Sequence, residues 1–305
     1  MQNKKKILIT GSNGLLGQKL VKLLKEKGDF DFVATARGNN RIQDKEGFIF
    51  KPMDVTDKTE VMKIITDEQP DYVIHTAAMT NVDQCEIEKE SCTLLNVNAV
   101  EYLIKACEKN NVHFTHLSTD FIFDGTEGPY DEESAIPKPL SYYGESKLKS
   151  EKIIFKSTCD WAIVRTVLVY GITVGMSRSN IILWVKNSLE EGKDIHVVTD
   201  QFRSPTLAED LAMGCYLIVK QHAKGIYNIS GKEVLTPYKM AIKTAKYFKL
   251  DESLIHKTDG FKFQQTAKRP SKTGFIIEKA KKELGYKPHS FDEGIALLHQ
   301  QIQNQ

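Results

Sequence analysis

Three glycines at three-residue spacing stand between a short apolar run and an amphipathic one. The stretch Thr10-Gly11-Ser12-Asn13-Gly14-Leu15-Leu16-Gly17 follows Ile7-Leu8-Ile9, which reads as a strand. After it, Leu16, Leu20, Leu23 and Leu24 fall at the spacing of a buried helical stripe that runs to Lys27 and stops at Gly28. A strand, a glycine turn and a helix at the head of a chain constrain the fold strongly. Gly11 permits a tight turn, Gly14 admits a pyrophosphate to the backbone, and Gly17 lets helix and strand pack closely. The unpaired N–H groups and positive dipole end of such a helix suit phosphate.

The rest of the first half repeats the rhythm. Strands are expected at Phe32–Thr35, Phe48–Phe50, Tyr72–His75, Val112–Ser118 and Trp161–Val169. Helices are expected at Asp57–Glu68, ended by Pro70, and as one long element over Glu90–Lys109. Alternation of this kind implies right-handed crossovers and a parallel sheet covered on both faces. The expected class is α/β, a Rossmann-type doubly wound parallel sheet with a smaller C-terminal substrate-binding lobe. Residues 1–170 would hold the dinucleotide, part of the later chain returning to them, and 171–305 would mainly form the lobe. Beyond 170 loops lengthen, at Gly171–Ser179, Thr199–Pro205 and Asp259–Gly274, with helices at about 180–191, 206–222, 236–247 and 291–303.

The second strand of a dinucleotide fold normally ends in an acid that takes the ribose 2′-hydroxyl of NAD. Here the stretch is Val33-Ala34-Thr35-Ala36-Arg37-Gly38, with Arg37 where a 2′-phosphate would lie. A guanidinium fork suits a phosphate dianion, so NADP is expected, with NAD the alternative and a merely solvated Arg37 the plain reading. Asp54 and Val55 follow the third strand. Asp54 either accepts from the adenine amino group or belongs to the helix cap of the Asp54–Asp57 turn.

Tyr143-Gly144-Glu145-Ser146-Lys147 puts a phenol and an amine four apart, on one face of a helix. A cation beside the phenol would lower its pKa from about 10, and the lysine can also hold the nicotinamide ribose. Tyr142 is turned off that face. Leu117-Ser118-Thr119-Asp120 closes the preceding strand, and Thr119 can orient a substrate carbonyl toward the tyrosine.

The chain of 305 residues carries 41% hydrophobic and 27% charged residues and a formal charge of +2, which gives no electrostatic reason for nucleic acid or an acidic membrane as partner. No stretch approaches the ~18 apolar residues of a membrane span, and no leader pattern is read at the start. The five cysteines and eight histidines lack metal-ligand spacing. His113 and His116 point to opposite faces of their strand, so no metal is expected. Free thiols fit a reducing cytoplasm.

With these residues in hand the chain resembles the extended short-chain dehydrogenases, and most of all their dTDP-4-dehydrorhamnose reductase branch. The resemblance runs through Thr76-Ala77-Ala78-Met79-Thr80-Asn81-Val82-Asp83, Leu95-Asn96-Val97-Asn98-Ala99, Ser118-Thr119-Asp120-Phe121-Ile122-Phe123-Asp124-Gly125, the Tyr143–Lys147 motif, Ser204-Pro205-Thr206 and Arg269-Pro270-Ser271. It implies that Gly11, Asn13, Gly14, Leu15, Leu16 and Gly17 cradle the dinucleotide. Ala77 and Ala78 would line its ribose, with Asn96 in support. Thr119, Tyr143 and Lys147 would be catalytic, and Thr80, Val82, Phe121 and Arg269 would surround a nucleotide-linked sugar. A homodimer is the assembly allowed for.

The branch usually carries a tryptophan in an R-T-x-W context, and here Arg165-Thr166-Val167-Leu168 puts Leu168 in its place. Family dehydratases follow the catalytic threonine with an Asp–Glu pair; here Phe121 follows Asp120. A cofactor-retaining epimerase stays open as an alternative. So does a non-catalytic role like that of the regulatory subunit of methionine adenosyltransferase, which has leucine in the same context.

Overall fold

The short apolar runs assemble side by side. A computed structural model describes residues 4–175, 179–260 and 266–303. In chain order come β1 (Lys6–Thr10), α1 (Leu15–Lys27), β2 (Asp31–Ala36), β3 (Ile49–Pro52), α2 (Lys58–Glu68), β4 (Tyr72–His75), α3 (Val82–Ile87), α4 (Lys89–Thr93), α5 (Ala99–Asn110) and β5 (His113–Thr119). Then follow α6 (Tyr142–Ile154), β6 (Trp161–Thr166), β7 (Val169–Tyr170), α7 (Ile181–Glu190), β8 (Ile195–Val198), β9 (Thr206–Leu207), α8 (Ala208–Gln221), β10 (Gly225–Asn228), α9 (Pro237–Phe248), β11 (Ile255–Thr258) and α10 (Phe291–Gln303).

Seven strands form one sheet in the order β10-β6-β5-β4-β1-β2-β3. All its pairings are parallel. Order reverses between β1 and β4, the topological switch point where ligands of such sheets bind. Alternation along the strands supplies two cores. On one face Ile7, Ile9, Phe32, Ala34, Ile74 and Val164 pack with Leu20 and Leu24 of α1 and Leu211 and Ile218 of α8. On the other, Leu8, Val73, Phe114 and Ile163 pack with Val61 and Ile65 of α2, Leu103 of α5 and Ile154 of α6.

The later chain returns to the sheet through β10, beside β6. It also forms two small parallel pairs, β8 with β11 and β7 with β9. Val185 and Leu189 of α7 and Ala241 and Ala245 of α9 cover the first of these. Among the described residues no helix is long and apolar enough to cross a membrane.

Two sequence expectations are corrected. The single helix over Glu90–Lys109 is interrupted: α4 and α5 are joined by a π-helical stretch, Leu94–Asn98. A π turn inserts one extra residue and redirects side chains, and here it brings Asn96 inward, 1% exposed. The strand expected over Trp161–Val169 stops at Thr166, because Leu168 takes a left-handed φ of 37° and breaks the ladder before β7. The expected loop around Gly171–Ser179 includes residues 176–178, and that over Asp259–Gly274 includes 261–265, which lie outside the described residues.

Candidate active site

The glycine turn opens onto a cleft of about 1000 Å³ at the C-terminal ends of the strands. Gly14 is the N-cap of α1. No side chain caps the helix there, and its first turn holds no acid, so its N–H groups remain available to an anion. A Cβ on Gly14 would meet only the Gly11 carbonyl within 4 Å, at 3.3 Å, so that face is open. At Gly17 the opposite holds. A Cβ there would collide with the Gly11 carbonyl oxygen and lie 2.6 Å from Ser12 Cα. Gly11, Asn13, Gly14, Leu15 and Leu16 line the cleft, and Gly17 packs behind it. These features fit a dinucleotide pyrophosphate.

Asn13 ties the turn to the segment after β2. Its Nδ2 donates to the Asn39 carbonyl at 2.9 Å, and its Oδ1 accepts from Arg41 N–H at 2.9 Å. Arg41 thereby joins Arg37 on the cleft wall, a second cation that the sequence reading missed. Asp54 and Val55 line the same end. Asp57, not Asp54, caps α2, accepting from Thr59 and Glu60 N–H. Asp54 accepts from the N–H and hydroxyl of Thr56 at 2.9 and 2.7 Å. Burial pushes its carboxyl pKa up, but the Thr56 bonds and Arg37 outweigh this and hold it below the usual value. Ala77 and Ala78, after β4, line the middle of the cleft.

Thr119, Tyr143 and Lys147 share the far wall. Thr119 ends β5; its Oγ1 donates to Asp120 Oδ1 at 3.1 Å and accepts from Phe121 N–H at 3.2 Å. Tyr143 stands in the first turn of α6, which Ser141 caps by accepting from Gly144 N–H at 3.3 Å. A Cβ on Gly144 would collide with the Phe121 carbonyl oxygen, so the glycine brings this turn against the end of β5. Tyr142 points away, its hydroxyl 2.6 Å from Thr93 Oγ1. One turn beyond Lys147, Glu151 is held by buried Arg165 through bonds of 3.1 and 2.8 Å, which lock α6 to β6.

The expected lowering of the Tyr143 pKa by Lys147 is not what this geometry produces. Burial raises it, the Thr119 hydroxyl works downward, and Asp120, Cys85 and Cys92 push it further up. The Lys147 ammonium is instead 3.0 Å from His116 Nε2. Burial lowers the Lys147 pKa to about 8, against the upward pull of Glu151 and Cys92.

Asn96 does not line the cleft but braces it from behind. It accepts from Met79 N–H at 2.8 Å and donates to the Met79 carbonyl at 3.0 Å and to Ser146 Oγ at 3.1 Å. Thr80, Val82, Phe121 and Arg269 all reach the cleft. Arg269 does so as half of an ion pair, its Nη1 and Nη2 3.2 and 2.6 Å from the carboxylate of Asp83, a residue the sequence reading quoted without assigning a role. Leu168 also faces the cleft, 41% exposed. Among the described residues no cluster of side chains has the make-up of a metal site.

The parallel sheet, glycine turn and Tyr–Lys helix give the chain the fold of an extended short-chain dehydrogenase. It belongs to the RmlD substrate binding domain family, whose profile matches residues 5–304. Among its relatives, dTDP-4-dehydrorhamnose reductase of Aggregatibacter actinomycetemcomitans is 30% identical over 302 residues, covering 95% of this chain and 97% of that one. Methionine adenosyltransferase 2 subunit beta of Xenopus laevis is 32% identical over 254 residues, covering 82% of this chain and 74% of that protein. The crystal structure of a hypothetical dTDP-4-dehydrorhamnose reductase from Sulfolobus tokodaii superimposes with a TM-score of 0.81 at 30% identity, covering 94% of this chain and 98% of that one.

Proposed function

We propose that this protein is an NADPH-dependent reductase acting on the keto group of a nucleotide-linked deoxysugar, in the manner of a dTDP-4-dehydrorhamnose reductase. The observation that carries this reading is the presence of Thr119, Tyr143 and Lys147 on one wall of a cleft whose other end is the glycine turn. Gly11, Asn13, Gly14, Leu15 and Leu16 would hold the pyrophosphate. Arg37 and Arg41 would hold the 2′-phosphate, Asp54 and Val55 the adenine end, and Ala77 and Ala78 the ribose. When bound, NADPH supplies the hydride. Residues 1–170, with the returning strand, serve the dinucleotide, and 171–305 mainly grip the sugar nucleotide, with Thr80, Val82, Phe121 and Arg269 at its border.

Tyr143 donates its proton to the carbonyl oxygen as charge develops there, and Thr119, its one hydroxyl proton turned from Asp120, donates a hydrogen bond to the same atom. The raised pKa of the phenol keeps it protonated at neutral pH, ready for the reducing direction. An alkoxide is basic enough to take that proton. The Lys147 ammonium then stabilises the phenolate left behind. The second reading, a subunit that acts by binding a partner, draws on the methionine adenosyltransferase relative and on Leu168. Retention of all three side chains favours catalysis. A panel of nucleotide-linked 4-keto sugars separates the two. Stoichiometric NADPH consumption with one of them supports the reductase; no turnover with any member would remove it.

Two further outcomes are expected. Arg37→Ala and Arg41→Ala should each weaken NADPH about tenfold and leave NADH nearly unchanged, since each removes a charge-assisted bond to phosphate. Equal affinities of the wild-type protein for both dinucleotides would dispose of the 2′-phosphate argument. The second concerns pH. Lys147 is charged below its lowered pKa of about 8 and neutral above it. For NADPH, kcat/KM, which reports the free enzyme, should therefore be level below that value and fall as pH rises through it. A profile flat to pH 10 would contradict the role given to the ammonium.

A further inference from the structure

We propose that His116 is a positioning residue for this reaction: through Nε2 it holds the Lys147 ammonium at the inner end of the cleft, in reach of the phenol and of the bound dinucleotide's ribose. The inference rests on the reductase reading, but its test does not need a sugar substrate.

Lys147 is 3% exposed, and His116 is fully buried on β5, between β6 and β4. An ammonium in such a place needs acceptors to keep its proton. Among the described residues, its hydrogen-bond partner is His116, at 3.0 Å. Of the other titratable groups around it, Glu151 and Cys92 pull its pKa upward by charge alone, and each has hydrogen-bond partners of its own. On α6 itself, the Glu151 carboxylate is taken by Arg165 from β6. From α4, the Cys92 thiol has its pKa lowered to about 7, first by the Cys85 thiol of α3, then by Ser146, Asn96 and the Lys147 charge, while burial opposes. Asp120, after β5, is engaged by Thr273 and Thr119. His75, from β4, gives its Nδ1 to Thr10 Oγ1 at 2.7 Å. Tyr143 is the group to be served.

An ammonium has only donors, so Nε2 must be bare and the ring proton must sit on Nδ1. Burial, then the charge of Lys147, then His75 hold His116 neutral well below its ordinary pKa. It therefore stays an acceptor across the working pH range. The stacked ring of His75, centroids 5.6 Å apart, fixes its plane. His116 Nδ1 is buried with no hydrogen-bond partner. An orphaned donor in a sheet core lowers stability, and an aliphatic side chain would pack there without it. That cost is accounted for when the ring serves Lys147.

The test is NADPH titration, read by cofactor fluorescence, from pH 6 to 9.5 for wild type, His116→Leu, His116→Met and His116→Gln. Wild-type affinity should fall with a midpoint near the Lys147 pKa of about 8. Leucine and methionine fill the space without a strong acceptor. They should move the midpoint down by about one pH unit while keeping the low-pH affinity. Glutamine, whose amide oxygen accepts, should restore the wild-type midpoint. Midpoints for leucine and methionine equal to wild type would overturn the proposal. So would a pH-independent wild type, or loss of binding at every pH in all three variants, which marks a purely structural histidine. If wild type binds NADPH yet reduces no sugar, the reductase reading fails while the midpoints still decide the role of His116.

Discussion

Tyr143→Phe should lower kcat by about 10²–10⁴-fold, the usual contribution of a positioned acid, and leave the NADPH dissociation constant nearly unchanged. The ring remains to pack edge-on against Phe121, as it does at 5.8 Å between centroids. What goes is the one proton donor that spacing and geometry both place beside Thr119. Tyr142 cannot substitute, because its hydroxyl is bonded to Thr93 behind the wall. Steady-state kinetics beside a fluorescence titration separates the two effects. Retention of more than about a tenth of wild-type kcat would mean that the proton comes from another group.

Gly17→Ala should damage the cofactor half severely. The added Cβ would meet the Gly11 carbonyl and Ser12 Cα, both backbone atoms that cannot rotate away. Helix α1 must move off the turn, and the N–H groups at its head lose their aim. NADPH affinity should fall by about a hundredfold or more, with a loss of stability of about 1–3 kcal/mol from overpacking. Gly28→Ala is the control. Gly28 also caps α1, at φ 66°, but a Cβ there meets nothing within 4 Å. It should cost about 1 kcal/mol of backbone strain and leave cofactor binding alone. Similar NADPH affinities in the two variants would show that the turn is not where the phosphates sit.

Features with short-range causes were legible in the sequence. The glycine turn, the alternating strand runs and the Tyr143–Lys147 spacing are each set within a few residues, and each takes the expected place. The π turn at Leu94–Asn98 was not legible, because it answers a tertiary demand: Asn96 must face inward to bond Met79 and Ser146. The break at Leu168 was missed for a similar reason. Its left-handed backbone belongs to a leucine, which local propensity does not favour there. Strand β10 escaped notice because its partner, β6, lies some sixty residues earlier. The three side chains that the sequence singled out for the chemistry come together on one cleft, but the charges around them are arranged differently from the expectation. Spacing places Lys147 beside Tyr143, but only the packed sheet reveals His116 as the nearer acceptor. Arg41 and Asp83 needed three dimensions too, since each acts through a loop or helix folded back onto the cleft.

The most direct test of the account is isotopic. NADPH carrying deuterium at both C4 positions of the nicotinamide is incubated with a dTDP-linked 4-keto-6-deoxysugar, and the product is read by mass spectrometry against cofactor consumed. One deuterium should be fixed in the sugar and one NADPH oxidised per product, with product forming about 10²–10⁴-fold more slowly in Tyr143→Phe. Epimerised sugar with the NADPH unspent, or reduced sugar without the label, would contradict the account.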